Sequence, residues 1–289
     1  MAALVKELRR AAEAVCNAQA LIITAGSGMG VDSGLPDFRG PEGLWRAYPP
    51  LKKMGLNLPG ASNPTWFIRD PEFAWGFFGH RYDLYKKTEP HSGFHILRKW
   101  SERMQKGHYV FTSNVDGHFQ KAGFDENKIV ECHGTINYLQ CVSADFSTEI
   151  WPVPEDFNLD VDMTTLKART PLPKGPPNVN SCLARPNILM FGDSEWISTR
   201  TALQDRGLNS FEVALGLQKD LKLVVVEIGA GLTVPTVRMT SERYASWIGD
   251  RVTLIRINPS EFSVPNGHIS LPMGGLEALL KIDHLIDSM

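Results

Sequence analysis

The chain is expected to fold as an α/β protein built on an open parallel sheet, and three observations predict this. Apolar runs of strand length recur at 21–24, 109–111, 128–132, 187–191, 222–228 and 251–257. Two of these runs, KLVVVEI and RVTLIRI, are continuous rather than alternating, as in strands covered on both faces. Segments of helical spacing lie between several runs, at 92–105, 209–219 and 236–248, and such alternation builds a sheet through crossover helices. Ligands of open α/β sheets bind beyond the carboxyl ends of the strands.

Each element has its own reason. Residues 3–19 place Leu4, Val5, Leu8, Ala11, Ala12 and Val15 on one face, which predicts a surface helix before the first strand. Residues 41–90 are rich in proline, glycine and aromatics, including Trp45, Tyr48, Trp66, Phe67, Phe73, Trp75, Phe77 and Phe78. They predict a small helical insertion with its own apolar cluster, and the aromatics at 66–78 are assigned to that core rather than to a ligand channel. Residues 136–185 are proline-rich and acidic with little periodicity, and predict a second, long-looped and partly mobile insertion. The two insertions, 41–105 and 136–183, are expected to pack together as a small module. Residues 1–40, 106–135 and 184–289 then form the sheet domain.

Composition excludes several classes. With 289 residues, 43% hydrophobic and 21% charged, the chain can bury a sizeable core. A formal charge of −2 gives no global attraction to nucleic acid or anionic membrane. The basic cluster Arg98, Lys99, Arg103 and Lys106 reads as the solvated face of a helix. The amphipathic N-terminus lacks the apolar stretch of a signal peptide, and no run reaches membrane-spanning length. Cysteines 16, 132, 141 and 182 show no disulfide-like density. An intracellular, cytoplasmic protein with reduced cysteines is expected.

Three short segments follow or close strand-like runs and carry unlike functional groups. AGSGMGVDSGLPDFRG (25–40) follows LIIT, TSNVDG (112–117) follows YVF, and ECHGT (131–135) closes KIVEC. Glycines after a strand let backbone approach a pyrophosphate, although Gly26-Ser27-Gly28-Met29-Gly30 is not the usual dinucleotide spacing. Pro36-Asp37-Phe38-Arg39 adds a rigid turn, a carboxylate, an aromatic face and a cation. Asn114 offers donor and acceptor, which suits a carboxamide, and Asp116 points the same way if the strand continues. An Asx-turn that merely ends a strand accounts for the same residues. His133, beside Gly134, is placed as a general base near neutral pH, although a histidine taken alone is more often structural.

Taken together, these segments resemble the sirtuin (Sir2-like) signatures. GSGMGVDSGLPDFRGPEGLW is similar to GAGxSxxSGIPDFR followed by GLW or GLY, TSNVDGHFQKAG to TQNIDxLHxxAG, and VECHGT to VExHGS. RPNILMFGDSEW (185–196), EIGAGLTVPTVR (227–238) and RINPSE (256–261) resemble three further blocks, in the family's order. The resemblance implies NAD as co-substrate on a Rossmann-type sheet. It implies Gly26, Ser27, Gly28, Asp37, Phe38 and Arg39 for the cofactor loop, Asn114 and Asp116 for the nicotinamide pocket, and Ser113 for a cofactor contact beside the ribose. Gly229, Ala230, Gly231, Asn258 and the backbone near Gly275 fall to the adenosine half. His133 becomes the base, with Asn114 and Asp116 beside it. An acyl-lysine protein or peptide would lie as an added strand against 190–196, touching Phe191, Gly192 and Asp193. The implied activity is an NAD-dependent protein-lysine deacylase releasing nicotinamide and O-acyl-ADP-ribose.

The departures are specific. The family's two CxxC pairs hold a structural zinc, but here Cys141 and Cys182 each lack a partner three residues on. A closed site needs four ligands, so no structural zinc is expected. His91 and His95 have helical i,i+4 spacing but no third ligand. The family's Gln before Asn114 is Ser113, its GAG alanine is Ser27, its following Ser is Gly30, its Thr-Ser is Ala230-Gly231, and FGE has become FGD at Asp193. Hydroxyl loss at 230–231 and the short Ser113 keep two alternatives open: an NAD glycohydrolase or a protein ADP-ribosyltransferase on the same scaffold. A non-catalytic NAD or ADP-ribose binding module is a third, opposed by Asn114, Asp116 and His133 together.

Overall fold

In the segments ALIITA and LVVVEI every residue is buried, and β-branched aliphatics dominate. Such a segment is stable only where both faces are covered, and the fold provides that. The computed structural model describes residues 2–36, 40–169, 171–176, 182–247 and 249–289. Its strands are β1 (Ala20–Ala25), β2 (His108–Thr112), β3 (Ile129–Glu131), β4 (Gly134–Cys141), β5 (Ile150–Pro152), β6 (Val161–Asp162), β7 (Lys167–Ala168), β8 (Ala184–Ile188), β9 (Leu223–Ile228), β10 (Val252–Ile257) and β11 (Ile269–Leu271). The helices are α1 (Ala2–Asn17), α2 (Gly40–Ala47), α3 (Pro49–Lys53), α4 (Leu58–Ala61), α5 (Trp66–Arg69), α6 (Pro71–Lys87), α7 (Ser92–Glu102), α8 (His118–Lys121), α9 (Thr199–Gly216), α10 (Thr236–Trp247) and α11 (Gly275–Ile286).

Six strands form one parallel sheet in the order β11-β10-β9-β1-β2-β3. Residues alternate between its faces as the strand period requires. Leu21, Ile23, Val224 and Val226 point into a core with α1, α7 and α11 residues such as Leu8, Trp100 and Ile282. Ile22, Leu223 and Val225 point the other way, towards Leu215 of α9 and Tyr244 of α10. Burying each such aliphatic contributes about 1.5–3 kcal/mol. A central ion pair interrupts the aliphatic sheet. Arg256 and Glu227 face each other in the β10–β9 register, both side chains fully buried, with Nη2 to Oε2 at 2.9 Å.

The strand order departs in both directions from the β1/β9 boundary. Chain progression runs outward through β2 and β3 on one side, and through β10 and β11 on the other. That boundary is the topological switch point, where the loops at the strand ends diverge and leave a crevice.

The run at 187–191 behaves differently from its expected place in the parallel sheet. The strand ends at Ile188, and β8 lies antiparallel to β4 in a separate sheet of order β5-β4-β8. An apolar run sets strand character, but it does not choose its neighbours. Here Arg185 and Asn187 are buried and need the carboxylate of Asp193 and the amide of Gln140 as partners. The described residues of the second insertion carry more regular structure than its composition predicts: β4 has eight residues, and a short β6–β7 hairpin follows. β11, three residues long, has no clear signal in the sequence.

The two insertions share one core. Phe67, Phe73, Trp75, Phe77 and Phe78 pack with Leu139, Leu159, Leu166 and Ala184, so the aromatics of 66–78 are core residues. Trp75 Nε1 donates to the Ala184 carbonyl at 2.9 Å, joining α6 to β8. The backbones also approach closely, for a Cβ on Gly76 would lie 2.1 Å from the Leu166 carbonyl oxygen.

The expectation of reduced cysteines fails at one pair. Cys141 and Cys182 form a disulfide with Cα atoms 5.9 Å apart, while Cys16 and Cys132 are free. Forty-one positions separate the two cysteines, and spacing alone could not bring them together. These residues do not fit a structural zinc: the two sulfurs are bonded to each other. Among the described residues no group of three or more His, Cys, Asp or Glu side chains could hold a metal. Also among the described residues, no helix is long and apolar enough to cross a membrane. In the basic cluster, Lys99 pairs with Asp283 and Asp287, and Arg98 with Glu102.

Candidate active site

The segments after β1, β2, β3, β9 and β10 meet at the switch point, around a cavity of about 460 Å³, a size typical of small-ligand sites. Ser27, Ser113, Asn114, Asp116, His133, Ala230, Gly231, Ser260 and Glu261 line it, with Leu35, Val115 and Val237 among its apolar walls.

The glycine loop after β1 coils into a 3-10 turn over Ser27–Ser33. Its first glycines are spent on the protein itself. Gly26 N–H donates to the Ile228 carbonyl at 3.0 Å and Gly28 N–H to the Gly229 carbonyl at 3.1 Å. A Cβ on Gly26 would lie 2.7 Å from the Gly229 carbonyl oxygen and 2.8 Å from the Ala230 Cα. Glycine is therefore required here so that two loops can touch. Both N–H groups are thus taken by the protein, while Gly26 still lines the cavity. Asp37, Phe38 and Arg39 lie outside the described residues.

After β2 the strand does not continue, yet Asn114 and Asp116 both reach the cavity wall. Thr112 positions the first: its Oγ1 donates to the Ala25 carbonyl and accepts from the Asn114 N–H, each at 3.0 Å. Asn114 Nδ2 donates to the Gly26 carbonyl at 3.0 Å, leaving its second N–H and its carbonyl oxygen for a ligand. Asp116 Oδ1 accepts the His118 N–H at 2.9 Å, the Asx-turn arrangement, while the residue still lines the cavity.

His133 follows β3 on the same wall. Its carbonyl accepts the Leu189 N–H at 2.9 Å, tying it to the end of β8. Gly134 next to it has φ +72°, and a Cβ there would lie 2.1 Å from the Asn187 carbonyl oxygen. Arg200 holds the strand end from behind, donating to Glu131 Oε2 at 2.5 Å. Burial pushes the imidazole below its usual 6.5, and a hydrogen bond with the Ser113 backbone opposes that shift. At neutral pH the ring is uncharged and able to accept a proton.

Ala230 and Gly231 line the cavity as well. Asn258 stands behind them: fully buried, it donates Nδ2 to the Ala230 carbonyl at 2.7 Å and accepts the Ser260 and Glu261 N–H groups at 3.1 Å. It is outside the cavity lining, as are Gly28, Gly229, Gly192 and Asp193. Asp193 in particular is turned inward. Its carboxylate, with no exposed side-chain surface, pairs with Arg185 and accepts the Met190 N–H at 3.2 Å. Phe191 alone of the expected peptide contacts faces the cavity, flanked by Leu189 and Met190. His91 is committed elsewhere, its Nε2 at 2.8 Å from the Met29 carbonyl oxygen.

The structure adds residues that sequence reasoning passed over. Arg81 and Tyr85, one turn apart on α6, line the cavity, and Arg81 Nη2 donates to the Tyr85 hydroxyl at 2.8 Å. The guanidinium lies over the rings of Phe77, Phe78 and Tyr85. The available signal was a charged residue inside FFGHRYDLY, where aromatic density predicts burial. Glu261 also lines the cavity, accepting the Leu232 N–H at 2.9 Å.

Comparison with known proteins agrees with this arrangement. A model of the Sir2 family matches residues 26–217. An NAD-dependent protein deacylase of Aquifex aeolicus is 32% identical over 176 residues, 60% of this chain. The chain spans 62% of the length of that relative. A Sir2 homologue solved with NAD superposes with a TM-score of 0.67 at 22% identity, covering 96% of this chain and 94% of that one. A Sir2 protein solved with a deacetylated p53 peptide and 3'-O-acetyl-ADP-ribose gives a TM-score of 0.59 at 20% identity, covering 94% and 96%. At these identities the superpositions establish the fold. With a family match over most of its length and the sheet, loops and cavity in the corresponding order, the chain belongs to the Sir2 family.

Proposed function

We propose that the chain is an NAD-dependent protein-lysine deacylase, releasing nicotinamide and O-acyl-ADP-ribose. The observation that carries this reading is a neutral, half-buried His133 on the same cavity wall as Asn114 and Asp116. The cavity suits NAD: it sits at the switch point of a parallel sheet and combines apolar walls with serine, amide and carboxylate groups. Bound there, NAD supplies an electrophilic ribose carbon once nicotinamide leaves.

The chain's own groups then divide the work. Asn114 and Asp116 orient the carboxamide, with Asn114 held by Thr112 and Gly26. Ser113, Ala230 and Gly231 flank the ribose and phosphate portions, and Ser27 the loop side. Leu35, Val115 and Val237 exclude water, which favours capture by an acyl oxygen over hydrolysis. His133 takes a proton from a ribose hydroxyl, a role its lowered pKa permits across the neutral range. An acyl-lysine peptide lies along Leu189–Phe191, which line the cavity. Asp193 takes a positioning role instead of touching substrate, and Asn258 likewise acts through the Ala230 loop. Asp37, Phe38 and Arg39 are assigned to the cofactor loop by the family motif. The division into a nucleotide-binding domain and a small module of two insertions, and a cytoplasmic location, belong to the same reading.

The missing hydroxyls at Ala230 and Gly231 and the short Ser113 favour a second reading, in which water or a protein side chain accepts the ADP-ribosyl group. Nicotinamide release measured with and without an acetyl-lysine peptide decides between them. Peptide-dependent release with an acylated ADP-ribose product is expected. Equal release without peptide indicates hydrolysis, and addition of an ADP-ribosyl group to protein indicates transfer. His133→Ala should lower deacylation by about 10²–10⁴-fold while NAD binding persists; undiminished turnover would show that the base lies elsewhere.

A further inference from the structure

The Cys141–Cys182 disulfide joins the two chain points from which the Leu189–Ile197 loop is suspended. Cys141 ends β4 and pairs with Ala184 at the start of β8, two residues beyond Cys182. Next to Cys141, the fully buried Gln140 reaches across to the loop. Its Nε2 donates to the Glu195 carbonyl at 2.8 Å, and its Oε1 accepts the Ile197 N–H at 3.0 Å and Asn187 Nδ2 at 2.9 Å. On the far side of Cys141, the Glu195 carboxylate accepts Ser143 Oγ at 3.1 Å and the Ala144 N–H at 3.0 Å. From the β8 side, Arg185 grips Asp193, which orders Met190 and Glu195 through their N–H groups. These side-chain anchors of the loop lie within a few residues of one of the bridged cysteines, whereas the Leu189 and Phe191 N–H groups are held separately by the His133 and Ser62 carbonyls.

We propose that this disulfide is a redox site that controls the order of the 189–197 loop, and through it the peptide-side wall of the cavity; the second clause rests on the deacylase reading. Cys141 is fully buried and Cys182 is 9% exposed, so Cys182 is the half of the bridge nearer to solvent and the one assigned to attack by a reductant. A dithiol attacks through its thiolate, forming a mixed disulfide with Cys182 and expelling the Cys141 thiolate. The second thiol of the reductant closes its own ring and releases the Cys182 thiolate. Both protein thiolates take up protons, and the dithiol leaves as a cyclic disulfide. The bridge closes a long loop, and opening it returns that loop's freedom to the chain ends that hold Gln140 and Arg185. The nucleotide side is built on β1, β9 and β10, which share none of these anchors. A bond of this kind in a reducing compartment is characteristically transient and redox-sensing.

Hydrogen exchange followed by mass spectrometry tests this on the full chain carrying Cys16→Ser, which removes the exposed thiol. Reduction with dithiothreitol is expected to accelerate exchange in peptides spanning 189–197 by about tenfold or more, while β1 and β9 peptides stay unchanged. The Cys141→Ser/Cys182→Ser protein should reproduce the reduced pattern; if it does not fold, the reduced protein still decides. Identical protection of 189–197 in oxidised and reduced protein overturns the proposal, as does finding both cysteines free after purification without reductant. Exchange is independent of turnover, so failure of the deacylase reading would not be mistaken for failure of the redox site. If both hold, reduction raises the KM for an acetyl-lysine peptide several-fold and leaves the KM for NAD unchanged.

Discussion

β9 buries leucine, valine and isoleucine at five of its six positions, while β8 buries an arginine, a proline and an asparagine within its five. The first strand is held by packing that any similar aliphatic would satisfy, because dispersion and the hydrophobic effect are non-directional. The second is held by named partners, Arg185 with Asp193 and Asn187 with Gln140, whose geometry admits no substitute. The proposed nucleotide side of the cavity therefore stands on a robust scaffold. The proposed peptide side stands on a directional polar network reinforced by one covalent bond.

Breaking one buried charge pair on each side gives the largest contrast. Arg256→Met strands Glu227 within the sheet, and Arg185→Met strands Asp193 beneath the loop; each should cost about 3–5 kcal/mol. Denaturant melts should show global loss for Arg256→Met. For Arg185→Met, hydrogen exchange should place the loss in the small module first, and equal spread across the sheet would dissolve the distinction between the two regions. Gly26→Ala drives a Cβ into the Gly229–Ala230 backbone and should cost about 1–3 kcal/mol, with weaker NAD binding by calorimetry. Trp75→Phe removes the hydrogen bond from α6 to β8 and should cost about 1 kcal/mol, detectable as a small shift in the melt.

A pH titration sharpens the comparison from the sheet side. Burial pushes His108 on β2 down to about 4, and His133 also lies below its usual value. The unfolded chain therefore binds protons near 6.5 that the folded chain refuses. Stability should fall as pH drops from about 6.5 towards 4 and level off below, since both states are then protonated. His108→Gln should flatten part of that slope. For catalysis, the acid limb of the pH–rate profile should lie below 6.5, because His133 keeps its neutral form there.

Much of this was legible in the chain itself. Continuous runs such as LVVVEI announce strands buried on both faces, and α1, α7 and α10 follow their helical spacing closely. Asn114, Asp116 and His133 were marked by their places after strands and do meet at one cavity. The partner of β8 was not legible, because an apolar run carries strand character without pairing information. Asn258 and Asp193 were marked by their motifs, yet their side chains hold loops from behind. A motif records that a residue matters without recording which way it faces. Arg81 was hidden among aromatics, where burial is the default inference.

The order of residues along the chain is enough to give the α/β architecture, the Sir2-type order of its segments and the residues gathered at the strand ends. These depend on local periodicity and on turn chemistry, which act over a few neighbours. Only the folded chain settles the antiparallel home of β8, the inward turn of Asp193 and the Cys141–Cys182 bond. Each of these joins groups far apart in the chain, and their meeting depends on how the whole polypeptide closes its cores.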